Sequence, residues 1–190
     1  AVNADGANIA LVDGVGGLIL GNVTANGTLD VTTTNGDLDQ AGGSTIAVAG
    51  ETTLLAQSTD GSIKYDINLN GANNDFASAV NADGANITLV DGVGGLILGD
   101  VTASGTLDAT STDGAISQQA NTTITVDGET TLAATEDDGN GNQVAANITL
   151  DGANNDFASA VNADGANITL VDGAGGLILG NVTTTGTLDA

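Results

Sequence analysis

The octapeptide VNADGANI stands at residues 2–9, returns unchanged at 80–87 and returns again at 161–168. A chain that repeats itself at steps of 78 and 81 residues is either a row of copied domains or one continuous spring of coils. In a spring, no unit buries its apolar face without its neighbours. The long copies run over 1–78, 79–159 and 160–190, the last cut short. Copies one and two align without a gap through GETTL, at 50–54 and 128–132. Copy two then gains three residues: STDGSIKYDINLNG (58–71) faces EDDGNGNQVAANITLDG (136–152). A change of length at one place, with both flanks kept, marks an exposed turn.

A shorter period runs inside each copy. An apolar stretch, then Asn-Gly or Asp-Gly, then another apolar residue recurs along the chain. The dipeptides taken to mark this pattern are Asp5 and Gly6, Asn35 and Gly36, Asp60 and Gly61, Asp83 and Gly84, Asp113 and Gly114, Asp138 and Gly139, and Asp164 and Gly165. Gly tolerates positive φ, and Asn or Asp before it can bond its own backbone, so each pair is a candidate structural corner. Their steps of 30, 25, 23, 30, 25 and 26 residues predict three coils per copy and about seven coils of 23–30 residues in all. The corners should then form one column.

Each coil has room for three short strands with period-two alternation. In copy two the expected inward residues are Leu107 and Ala109, Ile116, Ile124 and Val126, Leu132 and Ala134, Ile148 and Leu150, and Phe157. Beyond it come Val161, Ile168, Leu170, Leu177 and Leu179. The chain is therefore expected to be all-β, a parallel β-solenoid forming one continuous segment over 1–190. Tandem immunoglobulin-like β-sandwiches are the alternative, because Asn-Gly and Asp-Gly also close hairpins. A sandwich core usually carries a large aromatic residue, whereas Tyr65, Phe76 and Phe157 are the only aromatics here.

Charge narrows the partners. Against 24 acidic residues stands one basic residue, Lys64, for a net charge of −23. A nucleic-acid binder needs Lys and Arg to neutralise phosphates, so nucleic acid is not an expected partner. An anionic membrane surface would repel the chain, and no apolar run is long enough to insert. Cysteine is absent, so disulfide and thiol chemistry are excluded. The start inside a repeat, without Met, is expected of an internal piece of a longer chain.

The stretch NDFASAVNADGANITLVDGVGGLILGDVTASGTLDATSTDGAISQ (74–118) resembles the repeats of large secreted bacterial adhesins of the filamentous haemagglutinin type. The matching pieces are N-D-F at 155–157, I-x-L at 87–89, L-x-L-G at 96–99, G-x-L-x-x-T at 105–110 and G-x-I-x-Q at 114–118. The resemblance implies a long right-handed parallel β-helix, export across an outer membrane by a partner pore, and a role in adhesion or biofilm.

Few stretches invite chemistry. Asp138, Asn140 and Asn142 alternate like part of a calcium loop, and Ca2+ is the one cofactor the acidic turns could hold. An EF-hand would place Gly where Gln143 stands and Glu where Thr149 stands. The glycine clusters at 14–17, 92–95 and 173–176 lack the helix and Lys of a phosphate cradle. Seven Asn-x-Thr triplets, at Asn22, Asn26, Asn86, Asn121, Asn147, Asn167 and Asn181, follow from a composition rich in turns and strands. Arg and His are absent and Lys64 has no counterpart in copy two, so an enzyme is not expected. The expected function is a structural shaft outside a bacterial cell; the alternative is an acidic repeat module whose turns bind Ca2+ and tune the stiffness or contacts of a fibre. Its partners would be copies of itself, end to end or side by side, and a surface receptor that these residues do not identify.

Overall fold

A computed structural model describes residues 1–190. The chain winds as a solenoid of two facing sheets, one of 12 strands and one of 11. Every pairing within the stack is parallel, so each strand bonds its counterparts one turn below and one turn above. The first sheet begins with Val2–Gly6 and the second with Ile9–Asp13. There is no helix. The immunoglobulin-like alternative, which needs antiparallel hairpins at the dipeptides, is excluded.

The coil count differs from the expected seven. Following the register gives about nine turns. Successive turns take 20 residues from Ile9 to Leu29, 23 from Leu29 to Thr52 and 28 from Thr52 to Val80. Val80 thus lies three turns above Ile9, in the same sheet. Ile87, the counterpart of Ile9 in copy two, lies half a turn further on, in the opposite sheet. Copy two repeats this through Ile87, Leu107, Thr130 and Val161. One copy is therefore three and a half turns, not three coils. Each copy presents its residues on the side opposite the copy before it. The dipeptide count missed this because the seven pairs counted are fewer than half of the 15 Asn-Gly and Asp-Gly pairs in the chain, which fall unevenly on the turns. The expected three sides are likewise two.

The interior is built as alternation requires. Leu107, Ala109, Ile116, Ile124, Val126, Leu132, Ala134, Ile148, Leu150, Phe157, Val161, Ile168 and Leu170 are all buried. Leu177 is partly buried and Leu179 is exposed. One continuous cluster of 38 residues runs the length of the stack, so no turn has a core of its own. Phe76 packs over Val48 and Phe157 over Val126, at equivalent places in the two copies.

The octapeptide is fixed by what its two asparagines do. Asn3 Oδ1 accepts the N–H of Asn22 one turn above at 2.7 Å, Asn81 that of Asp100 at 2.8 Å, and Asn162 that of Asn181 at 2.7 Å. At each place the upper strand carries one extra residue, a β-bulge. The bulge begins with Gly21, Gly99 or Gly180, where a Cβ would overlap the Asn side chain. The second asparagine repeats the device. Asn8, Asn86 and Asn167 accept the N–H of Thr28, Thr106 and Thr187 at 3.0, 3.1 and 3.0 Å. The octapeptide and the L-x-L-G and G-T-L segments of the next turn are thus two halves of one joint.

Candidate functional site

The dipeptides fall on both edges of the solenoid. Asp5, Asp113, Asp138 and Asp164 lie where the chain leaves the first sheet. Asn35, Asp60 and Asp83 lie where it leaves the second. The single column expected from sequence becomes two, because each copy adds half a turn. Their conformations differ as well. Asn35, Gly61, Gly114 and Gly139 adopt positive φ, whereas Gly6, Gly84 and Gly165 do not and end ordinary strands. At Gly84 glycine serves close packing instead: a Cβ would lie 2.9 Å from the Tyr65 carbonyl oxygen and 3.0 Å from Ile67. The glycine clusters at 14–17, 92–95 and 173–176 are turns, each ending in two glycines of positive φ.

The three extra residues of copy two form a hairpin. Gln143–Ala145 pairs antiparallel with the end of Thr130–Asp137, Glu136 facing Val144. Residues 136–144 are exposed, while Leu132, Ile148 and Leu150 stay buried beneath them. In copy one a single antiparallel bridge, Gln57 to Lys64, takes its place. There Lys64 Nζ donates to Gln57 Oε1 at 2.8 Å and to Asp83 Oδ2 at 2.6 Å. The chain's single basic residue thus ties this turn to the one above.

The candidate calcium residues meet in the hairpin, but Asp138 is already engaged. Its Oδ1 accepts the N–H of Asn140 at 2.8 Å and of Asn142 at 3.2 Å, and its Oδ2 accepts Asn142 Nδ2 at 3.1 Å. These bonds, the Asn142 side chain first, hold the Asp138 carboxyl below its usual range. No group of three or more acidic, His or Cys side chains is placed to hold a metal ion. Asp60 makes the same kind of turn: bonds from the Ser58 and Ser62 hydroxyls hold its carboxyl down to about 2.

Beside the hairpin runs an open groove of about 470 Å3, with Asn73, Asp113, Asp137 and Gln143 in its walls. It carries no aromatic and no cationic side chain. Its two carboxylates are polar walls of a solvated edge.

Two buried polar features were not foreseen. Gln40 and Asn74 form an amide pair across successive turns, repeated by Gln118 and Asn155. Gln118 and Asn155 lie in the G-x-I-x-Q and N-D-F segments already quoted, and Gln40 and Asn74 lie at the same places in copy one, Gln40 in GDLDQ (36–40). Their recurrence at matching places in two copies was the available signal. The other feature is Asp91, fully buried at the C-terminal end of Ile87–Asp91. Its Oδ1 accepts the Val93 N–H at 3.2 Å, but Oδ2 has no partner. Burial pushes this carboxyl up to about 6, with nearby Asp75 adding to the rise. Asp172, its counterpart in copy three, has the same unpartnered Oδ2.

Residues 6–83 and 84–164 each match the model of a family described as repeats of unknown function (DUF5649). The chain belongs to this family. No curated protein and no solved structure matches it. The matched units are the three-and-a-half-turn units of the fold: each begins at a glycine ending one octapeptide strand, Gly6 or Gly84, and closes near the next.

Proposed function

We propose that this chain is part of the shaft of an extracellular bacterial surface fibre, of the filamentous haemagglutinin type, serving adhesion, biofilm or matrix formation. The observation that carries this reading is the unbroken parallel ladder over about nine turns, with one core along its length. Bending such a rod means stretching backbone hydrogen bonds along one side, which makes it stiff. At about 4.8 Å per turn, each copy would add roughly 17 Å of length. Length is then set by copy number alone.

The half turn gives the shaft no back. Any group displayed by one copy is displayed on the opposite side by the next, so a fibre could engage surfaces on both sides. The net charge of −23 would keep neighbouring fibres apart at low salt, and screening would let them approach. Stacking end to end through exposed strand edges, or side by side, is the contact between copies that this reading favours.

An antibody raised against the repeat, applied to intact cells that make the protein, tests the reading by electron microscopy. Labelled filaments on the outer surface are expected. Label confined to the interior of permeabilised cells would overturn it.

A further inference from the structure

The chain holds four Asn-Gly pairs, at Asn26, Asn35, Asn70 and Asn140. The Asn-Gly bond can modify itself. The glycine nitrogen attacks the asparagine side-chain carbonyl carbon, a C–N bond forms, and the bond to the side-chain nitrogen breaks. The amide proton and that nitrogen leave as ammonia. Water then opens the resulting five-membered imide at either carbonyl, giving aspartate or isoaspartate. The balance is asparagine plus water to acid plus ammonia. The step needs a glycine nitrogen free to leave its hydrogen bond and a backbone free to turn.

Three of the four pairs are locked into the stack. Gly27 N–H donates to the Ala7 carbonyl of the turn below at 2.7 Å. Gly71 N–H donates at 2.9 Å to Gln40 Oε1, within the amide pair. At the third, Asn35 Nδ2 donates to Thr59 Oγ1 of the next turn at 3.1 Å and a Cβ on Gly36 would overlap the backbone of Gly16 and Gly17 in the turn below, so side chain and backbone are held between turns although the Gly36 N–H itself makes no hydrogen bond. Reaction at any of these must break contacts between turns.

Asn140 and Gly141 stand apart. Both are exposed at the tip of the inserted hairpin, and a Cβ on Gly141 would meet nothing within 4 Å. The Gly141 N–H donates at 3.1 Å to an exposed carboxylate, Asp137 Oδ1, within the same hairpin. Water can replace that acceptor at little cost, and no contact with another turn need break.

We propose that Asn140–Gly141 is a self-modification site of the folded chain, converting to aspartate and isoaspartate ahead of the other three pairs. Isoaspartate adds a backbone methylene inside the hairpin and breaks the register that holds Asp138 N–H to the Asn142 carbonyl. Each event also adds one negative charge to the shaft edge.

The folded chain, incubated at neutral pH and sampled over days, is digested and its four Asn-Gly peptides followed by mass spectrometry. Asn140 should convert roughly tenfold or more faster than Asn26, Asn35 and Asn70, because locked sites react only through local opening. In denaturant the four rates should converge. Gly141→Ala, which leaves the core untouched, should remove the advantage of Asn140. Equal rates in the folded chain, or an undiminished rate in Gly141→Ala, would overturn the proposal.

Discussion

Gln40 and Asn74, on successive turns, close their side-chain amides into a ring. Gln40 Nε2 donates to Asn74 Oδ1 at 2.7 Å, and Asn74 Nδ2 donates to Gln40 Oε1 at 2.9 Å. The ring sits where the first sheet is interrupted. Leu18–Ala25 is one long strand, but the next turn pairs with it as two pieces, Leu38–Gln40 and Ile46–Val48, with a loop between them. The interruption frees backbone groups inside the stack. Asn74 Oδ1 also accepts the Ile46 N–H at 2.9 Å, and Gln40 Nε2 donates to the Ser44 carbonyl at 3.0 Å. Two side chains thus satisfy what the loop leaves open.

Replacing Asn74 with Ala removes this acceptor and strands the Ile46 N–H and the Gln40 amide, with Asn74 itself fully buried. A loss of about 3 kcal/mol is expected, the cost of leaving buried polar groups unpaired. Denaturant unfolding measures it. Asn155→Ala in copy two should cost a similar amount, and a change of a few tenths at either site would show the ring to be dispensable.

The repeat, the parallel ladder and the inward residues up to Leu170 were legible in the sequence, because period-two alternation and self-similarity are local signals, whereas Leu177 and Leu179 lie in the last turn, with little or nothing stacked above to cover them. The number of turns was not. Asn-Gly and Asp-Gly occur once in some turns and two or three times in others, and the turns of copy one vary from 20 to 28 residues. A half-integer count shows only when pairing partners are known: nothing in Ile9 or Ile87 reveals that they face opposite ways. The amide ring was hidden for the same reason, since Gln40 and Asn74 are 34 residues apart.

The joint between Asn81 and Gly99 is steric as much as hydrogen-bonded. Gly99→Ala puts a Cβ where the Asn81 side chain lies, and overpacking of this kind costs about 1–3 kcal/mol. Removing the side chain as well, in Asn81→Ala with Gly99→Ala, should recover about 1 kcal/mol of that loss as a coupling term. Full additivity in a double-mutant cycle would deny the joint.

Two core threonines are poorly matched to their sites. Thr52 and Thr130 are fully buried, and neither Oγ1 has a hydrogen-bond partner. Thr130 stacks between Leu107 and Val161, both apolar. Thr130→Val keeps the shape and removes the stranded hydroxyl. Stability should rise by about 1 kcal/mol, read as a higher denaturant midpoint with an unchanged slope.

The hairpin at 136–144 lies outside the stack, so shortening it should leave the fold intact. Deleting residues 139–141 restores the length of copy one, and surface turns absorb such changes for less than about 1 kcal/mol. A loss of cooperative unfolding would show that the hairpin supports Leu132 or Ile148.

Acid should strengthen the shaft. The groups facing the Asp91 carboxyl are the backbone N–H groups of Val93, Phe76 and Gly92, the Asp75 carboxylate, and the paired residue Ser111, whose hydroxyl is also buried without a partner. No cation stands among these groups, so the charged form is disfavoured in the folded chain. Its folded pKa of about 6 lies above the ordinary 3.8, so the folded state holds the proton more tightly than the unfolded state. The resulting stabilisation is fully present below the ordinary value and is lost as pH rises through about 6. Its ceiling is about 3 kcal/mol, from the rise from 3.8 to about 6. Asp108, exposed but partly desolvated by its neighbours, is raised as well and acts weakly in the same direction. Unfolding midpoints measured from neutral pH downward should therefore climb until most of the Asp91 carboxyl is protonated. Asp91→Asn should flatten that climb while raising stability at neutral pH, because it removes a buried charge and keeps an acceptor for the Val93 N–H. A profile in Asp91→Asn as steep as in the parent would place the acid response elsewhere, in the general relief of a charge of −23.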